Sequence, residues 1–263
     1  MTIPIEISEA TGISDIGALT VKLHDESRAA GSPVPDLSPG DGIKLSAQDL
    51  GKQPVPLPEI ASHGRPLWDV LRERRAVRSY KKEHIELKSL ATMLKAAADG
   101  DSSYWPPEQH SAKIEFLVIA WRIEGLEPGI HIYHPDIRSL VLLGPAPDQE
   151  TDGKALVLQS EFADASAIIL ITGELQAALK QHGAWGHRNL LVRAGAAGHR
   201  LWLSSLATGL SGTVFAGLLP RAAQRLAGLD GFYRAGLFAY AVGKSNDSIN
   251  APQVAQTQNS SRD

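Results

Sequence analysis

The chain of 263 residues contains no cysteine, two methionines, 6% aromatic residues and a net charge of only −3. Each shortage excludes something. Without cysteine there is no disulfide framework, thiolate zinc site, iron–sulfur cluster or cysteine nucleophile. Any redox chemistry must therefore sit on a bound group. With 26 Lys and Arg against 29 Asp and Glu, there is no electrostatic footprint for general nucleic-acid or anionic-membrane binding. No apolar run approaches the length of a membrane span. The first ten residues, with Glu6 and Glu9, lack the basic and apolar regions of a signal peptide. These readings predict a cytoplasmic protein that binds neither nucleic acid nor membrane. What is present is 43% hydrophobic residues, enough for a sizeable core.

Residues 1–60 are punctuated by Gly31-Ser32-Pro33, Pro39-Gly40-Asp41-Gly42 and the prolines from Pro54 to Pro58, which interrupt helix and strand alike. They predict an arm or linker, either a tail without a role or a segment that wraps a partner subunit. After Pro66, the residues Leu67, Val70 and Leu71 place apolar groups on one helix face that runs into the basic stretch Arg72 to Arg78. A second helix is predicted from Glu86 to Gly100, with Leu87, Leu90, Met93, Leu94 and Ala97 on one side. Ile114–Trp121, Ile130–Tyr133 and Ala167–Ile171 predict strands, the last buried on both faces. The long helical signal Arg188–Thr208 holds Gly195 and Gly198 near its middle. Each costs about 1 kcal/mol relative to alanine, so the close approach of another helix is expected there. A short helix at Arg221–Leu226, a strand at Leu237–Val242 and a polar tail over 246–263 complete the chain. The order predicts an α+β domain over 61–245, with a central sheet and long helices against it.

Several motifs fail. Gly243-Lys244-Ser245 lacks the glycine five positions earlier that a phosphate loop needs, since Phe238 stands there. Gly209-Leu210-Ser211-Gly212 lacks the residue that a nucleophile elbow places between serine and the second glycine, so Ser211 reads as a turn residue. No G-x-G-x-x-G follows a strand. His131 and His134 are three apart in a strand and point to opposite faces, which argues against a metal site.

One constellation survives. Arg74, Arg75 and Arg78 put three guanidinium groups within five residues, followed by Tyr80, Lys81 and Lys82. Such forks suit a phosphate bidentately, and the alternative is a solvated basic face.

The segment Arg74-Arg75-Ala76-Val77-Arg78-Ser79-Tyr80 resembles the R-R-S-x-R-x-[FY] opening of the nitroreductase-like flavoproteins. Three later segments resemble that family in order: Gly129 to Pro135, Gly186-His187-Arg188 to Leu203, and Ala207 to Gly217 followed by Ala241-Val242-Gly243. The resemblance covers residues 66 to 245, and its tyrosine-turn and G-Y-R elements point to the SagB-like dehydrogenases that oxidise thiazolines and oxazolines in peptides. It implies a nitroreductase-like fold with a mostly antiparallel sheet, a long helix at the core of a homodimer, and bound FMN. Arg74, Arg75, Ala76 and Arg78 would lie at the FMN phosphate with Lys244, Ala216 and Gly217 at flavin N5, and Pro107 in a flavin-lining loop. Ala76 replaces the family's serine, and Pro107 offers no amide hydrogen.

The subgroup's lysine-tyrosine pair aligns with Gln181 and His182, with Lys180 one step earlier. The proton-abstracting role falls to His182, or to Lys180 if desolvated, or is lost. On the long helix, Arg193 stands where an acidic residue is frequent, which implies a divergent dimer or pocket. The expected activity is hydride transfer at flavin N5, with a peptide-derived or small-molecule substrate and a possible peptide-modifying synthetase as partner. The alternatives are a degenerate, non-catalytic scaffold subunit and an NAD(P)H-dependent nitro or quinone reductase.

Overall fold

The structure, a computed structural model, describes Val21 and residues 53–60, 65–106 and 110–246. Most of the expected arm, Pro107 and the tail beyond residue 246 lie outside these. In chain order the strands are β1 (Val55–Pro56), β2 (Ile85–Glu86), β3 (Ile114–Ala120), β4 (Ile123–Glu124), β5 (Gly129–His134), β6 (Ser139–Pro145), β7 (Ala167–Gly173), β8 (Ser211–Phe215) and β9 (Ala235–Gly243). The helices are α1 (Leu67–Glu73), α2 (Leu87–Tyr104), α3 (Leu175–His182), α4 (Trp185–Ala207) and α5 (Pro220–Ala227), with short helical turns between residues 149 and 164.

Seven strands form one sheet in the order β1-β6-β5-β3-β7-β9-β8, every neighbouring pair antiparallel. The α+β expectation holds. β7 lies inside the sheet between β3 and β9, and all seven of its residues are buried. Its side chains alternate between two cores, as the two-residue period of a strand requires. Ala167, Ile169 and Ile171 meet Leu90, Met93 and Leu94 of α2 and Leu190, Ala197 and Leu201 of α4. Ile168 and Leu170 face Tyr80, Phe162, Phe215 and Ala223 on the other side. Each such Ile or Leu contributes about 1.5–3 kcal/mol by leaving water.

The glycines of α4 divide in function. A Cβ on Gly198 would lie 3.2–3.3 Å from Val214 and Ile171, so within the chain the close partner is the sheet and not the expected helix: this glycine lets α4 settle onto β7 and β8. Gly195 opens onto free space. It belongs to an exposed stripe with Trp185, Val192 and His199, spaced at helical intervals. Gly100 lies inside α2, beyond which the helix continues to Tyr104. Its missing side chain leaves room for Arg200 of α4, whose guanidinium a Cβ would overlap.

Sequence patterning missed β6, β8 and α3. β6 begins buried and ends exposed, and β8 is only five residues long, too little for a periodicity signal. Ser211, read as a turn residue, is the buried first residue of β8.

At the opposite edge of the sheet, the proline-rich stretch runs alongside β6. Val55 pairs with Leu140, and the Leu57 N–H donates to the Arg138 carbonyl at 2.9 Å. Odd-numbered residues here direct their N–H groups toward β6, and the outward positions are Pro54, Pro56 and Pro58.

Candidate functional site

Residues 74–80 leave α1 and run along the end of the β8–β9 pair. Val77 and Tyr80 are buried and anchor the segment. The Thr213 hydroxyl donates to the Val77 carbonyl at 2.7 Å, and the Tyr80 hydroxyl donates to the same oxygen at 2.8 Å. Burial pushes the Tyr80 phenol well above its usual range, so it stays a donor. Tyr80 bridges to Ser245, the Lys81 N–H donates to the Lys244 carbonyl at 2.8 Å, and the Asn246 N–H donates to the Ser79 carbonyl at 3.1 Å. With 77 and 80 turned inward, positions 74, 75, 76 and 78 face outward.

Their partners differ sharply. Among the described residues, no carboxylate lies within ion-pair distance of Arg74, Arg75 or Arg78. Arg74 instead rests over the Trp202 ring of α4, 4.6 Å from its centroid, a cation–π contact that fixes the guanidinium without neutralising it. Lys244 donates to Glu83 at 3.0 Å, and Lys81 lies 4.0 Å from the same carboxylate. The hydrogen bond from Lys244, and then its charge, hold the Glu83 carboxyl below the usual range. The lysines are thus paired where the arginines are not. Ala76 supplies no hydroxyl, but Ser79 in the same segment carries one, which accepts a hydrogen bond from the Asn246 side chain at 3.0 Å.

β8 ends the sheet, and its outer edge has no strand partner among the described residues. Its first residue, Ser211, pairs with Gly243 beside the arginine segment, and its last, Phe215, pairs with Ala239. Ala216 and Gly217 follow, about 17 Å from Ser211 at strand spacing. The Gly217 carbonyl accepts from the Leu158 N–H at 2.7 Å, and a Cβ on Gly217 would lie 3.0 Å from the Leu158 side chain. The edge therefore joins a cationic end to a glycine turn. That arrangement fits an elongated ligand with an anionic terminus and a flat body, which FMN is.

A second cluster lies at the other end of α4. His182 closes α3, with Lys180 exposed nearby. The His182 ring lies 5.8 Å from that of His110, and His182 Nε2 and His110 Nδ1 are buried with no hydrogen-bond partner among the described residues. Gln181 accepts from the Ser111 N–H at 2.9 Å and from its hydroxyl at 3.0 Å, which ties α3 to the loop. Removal from water, and then the charge of Arg193, hold the His110 imidazole below its usual range.

Arg193 itself forks onto Asp101 with contacts of 3.0 and 2.7 Å, and donates to the Ala112 carbonyl at 2.8 Å. Its side chain is 5% exposed and that of Asp101 11%. The sequence reading linked Arg193 to a divergent dimer or pocket, yet its charge is satisfied within the chain. From Trp185 to Trp202, α4 spans about 26 Å at 1.5 Å per residue. Within one chain, then, His182 and Lys180 do not meet the arginines. Sequence reasoning passed over His110, because it sits in a loop without periodicity, and Trp202, because its ring reads as core.

Residues 71–244 match the Nitroreductase family. The chain belongs to this family. Arg74 and Lys244 stand near the two limits of the match, and β1 lies outside it. No curated protein matches the chain. Among solved structures, a protein from Anabaena variabilis described as a nitroreductase is 21% identical, with a TM-score of 0.64 over 74% of this chain. The match covers 42% of that protein, so this chain spans under half its length. A similarly described protein from Ralstonia eutropha is 19% identical, with a TM-score of 0.57 over 82% of this chain and 98% of its own. A third, from Desulfovibrio desulfuricans, was crystallised with FMN; it is 19% identical, with a TM-score of 0.48 over 70% and 88% of the two chains. At these identities the structural likeness shows the fold.

Proposed function

We propose that this member of the Nitroreductase family is an FMN-dependent oxidoreductase that acts as a homodimer. The observation that carries the reading is the set of three exposed arginines, on a segment anchored through Val77 and Tyr80 at one end of the open β8 edge, with no carboxylate partner among the described residues. Three like charges this close repel one another unless an anion or solvent separates them, and a phosphate monoester offers oxygens for bidentate forks. Arg74, Arg75 and Arg78 hold the phosphate. Lys244 joins them on release from Glu83, and the Ser79 hydroxyl stands in for the one absent at Ala76. Ala216 and Gly217 present backbone to the flavin ring, and the loop containing Pro107 covers it.

When bound, FMN supplies a two-electron acceptor at N5. The chain's own share is to orient the substrate, exclude water and take a proton. His182 takes that proton, because its Nε2 is buried and has no hydrogen-bond partner among the described residues; Lys180 is the alternative. The exposed α4 stripe of Trp185, Val192, Gly195 and His199 is the homodimer contact. An antiparallel pairing there would set the histidine end of one copy beside the arginine end of the other, which bridges the separation along α4.

The substrate class we infer, from the resemblance to the SagB-like subgroup, is a peptide-derived or small organic molecule in thiazole- or oxazole-type biosynthesis, with a peptide-modifying synthetase as partner. The visible spectrum of the purified protein, before and after added FMN, tests the cofactor. Flavin absorption that persists through gel filtration is expected; a colourless protein that takes up no FMN overturns the reading. Prompt bleaching by NAD(P)H alone would favour a nitro or quinone reductase. The Lys244–Glu83 pair and Ala76 support a non-catalytic scaffold subunit instead, and failure to bind FMN would favour it.

A further inference from the structure

A cleft of about 390 Å³ opens where β8 parts from β9. Strand pairing on that side of β9 stops at Ala239, because the chain turns away at Ala216 and Gly217. Residues 235–238 therefore have a strand neighbour, β7, on one side only. α4 closes the cleft from one sheet face and α5 from the other. Leu175, Leu191, Leu218, Leu229 and Leu237 make its walls apolar.

Two charged side chains line it, Arg221 and Asp230. Arg221, on the first turn of α5, is exposed and has no ion-pair partner among the described residues. His187, from the first turn of α4, is half-buried, and burial holds its imidazole below the usual range, so it stands as a neutral donor or acceptor at neutral pH. The one carboxylate, Asp230, already accepts the Phe232 N–H at 2.8 Å and the Arg234 N–H at 2.9 Å. The cleft thus offers a guanidinium without an ion pair among the described residues, a carboxylate whose Oδ1 is held by the 230–234 turn, an apolar hollow of ligand size and a length of strand edge.

We infer that this cleft binds the carboxyl-terminal end of a peptide, or an N-acylated apolar amino acid. The carboxylate pairs with Arg221, the apolar side chain enters the leucine-lined hollow, and the amide lies along the open edge of β9 as an added strand. The three features answer the three parts of one chemical group. A purely apolar ligand would leave the guanidinium idle, and a bare anion would leave the hollow unfilled. None of the arginines assigned to FMN takes part, so the site stands or falls independently of the flavin.

N-acetyl-leucine and N-acetyl-leucinamide, titrated into the full chain with and without FMN and followed by calorimetry, test this. The acid is expected to bind about tenfold or more tightly than the amide. Arg221→Gln should abolish that difference, and Arg225→Gln, at another exposed arginine of α5, should preserve it. Equal affinity of acid and amide, no saturable binding of either, or a preference that survives Arg221→Gln would each overturn the inference. So would a change of oligomeric state in Arg221→Gln without loss of ligand, which would make the cleft a contact between copies.

Discussion

The arginines packed around α4 live in opposite circumstances. Arg193 is buried and fully engaged by Asp101 and the Ala112 carbonyl. Arg74, Arg75 and Arg78 are exposed and lack carboxylates within reach among the described residues. A buried cation has to be matched inside the fold, since taking it from water costs several kcal/mol. An exposed one can wait for a ligand. Placement therefore separates an arginine that belongs to the architecture from three that are available for binding.

The sharpest way to break this contrast is to remove the buried partner. Arg193→Met would leave the Asp101 carboxylate without its fork and should destabilise the protein by about 3–5 kcal/mol in urea unfolding. Replacing Asp101 by Leu in that background should recover much of the loss. A cost below about 1 kcal/mol for the single change would show that the pair is not structural.

For the three exposed arginines the pattern should invert. Arg75→Gln and Arg78→Gln should each weaken FMN binding about tenfold, read by fluorescence titration, with unfolding free energy within about 0.5 kcal/mol of the parent. Loss of stability without loss of affinity would erase the distinction. On α4, one residue before Arg193 but facing outward, Val192→Glu would set a charge on the exposed stripe. It should shift the dimer–monomer equilibrium toward monomer by about tenfold in sedimentation, with little change in monomer stability.

The smallest effect concerns Glu83. Its carboxyl is lowered by Lys244, so the pair stabilises the fold above the unfolded carboxylate range and loses that contribution as pH falls through the lowered value. The stability difference between the parent and Glu83→Gln should therefore shrink toward acid pH. At neutral pH the same variant frees Lys244 and should tighten FMN binding a few-fold.

Much of the fold was legible because its core is periodic. The run Ala167–Ile171 announced a doubly buried strand, and the pattern over 188–208 announced α4, which runs from Trp185 to Ala207. The arginine cluster was legible because charge density survives in one dimension. The histidine cluster was only half visible: His182 was found through alignment, whereas His110 joins it across 72 positions of sequence by tertiary packing alone. The partner of Arg193 was invisible for the same reason, since Asp101 lies on another helix. Gly195 and Gly198 looked equivalent in sequence, and only the sheet beneath α4 distinguishes them.

The two edges of the sheet carry a last consequence. Fibril growth requires every added molecule to present both a docking edge and a fresh one for its successor. Here the flank at Pro54, Pro56 and Pro58 has no hydrogen to offer at its outward positions, so a strand arriving there finds acceptors without donors. Among the described sheet edges, recruitment falls to the β8 side, with the open stretch of β9 beside it. Two molecules joined through it would leave nothing for a third, so association through sheet edges ends at a pair and not in a polymer.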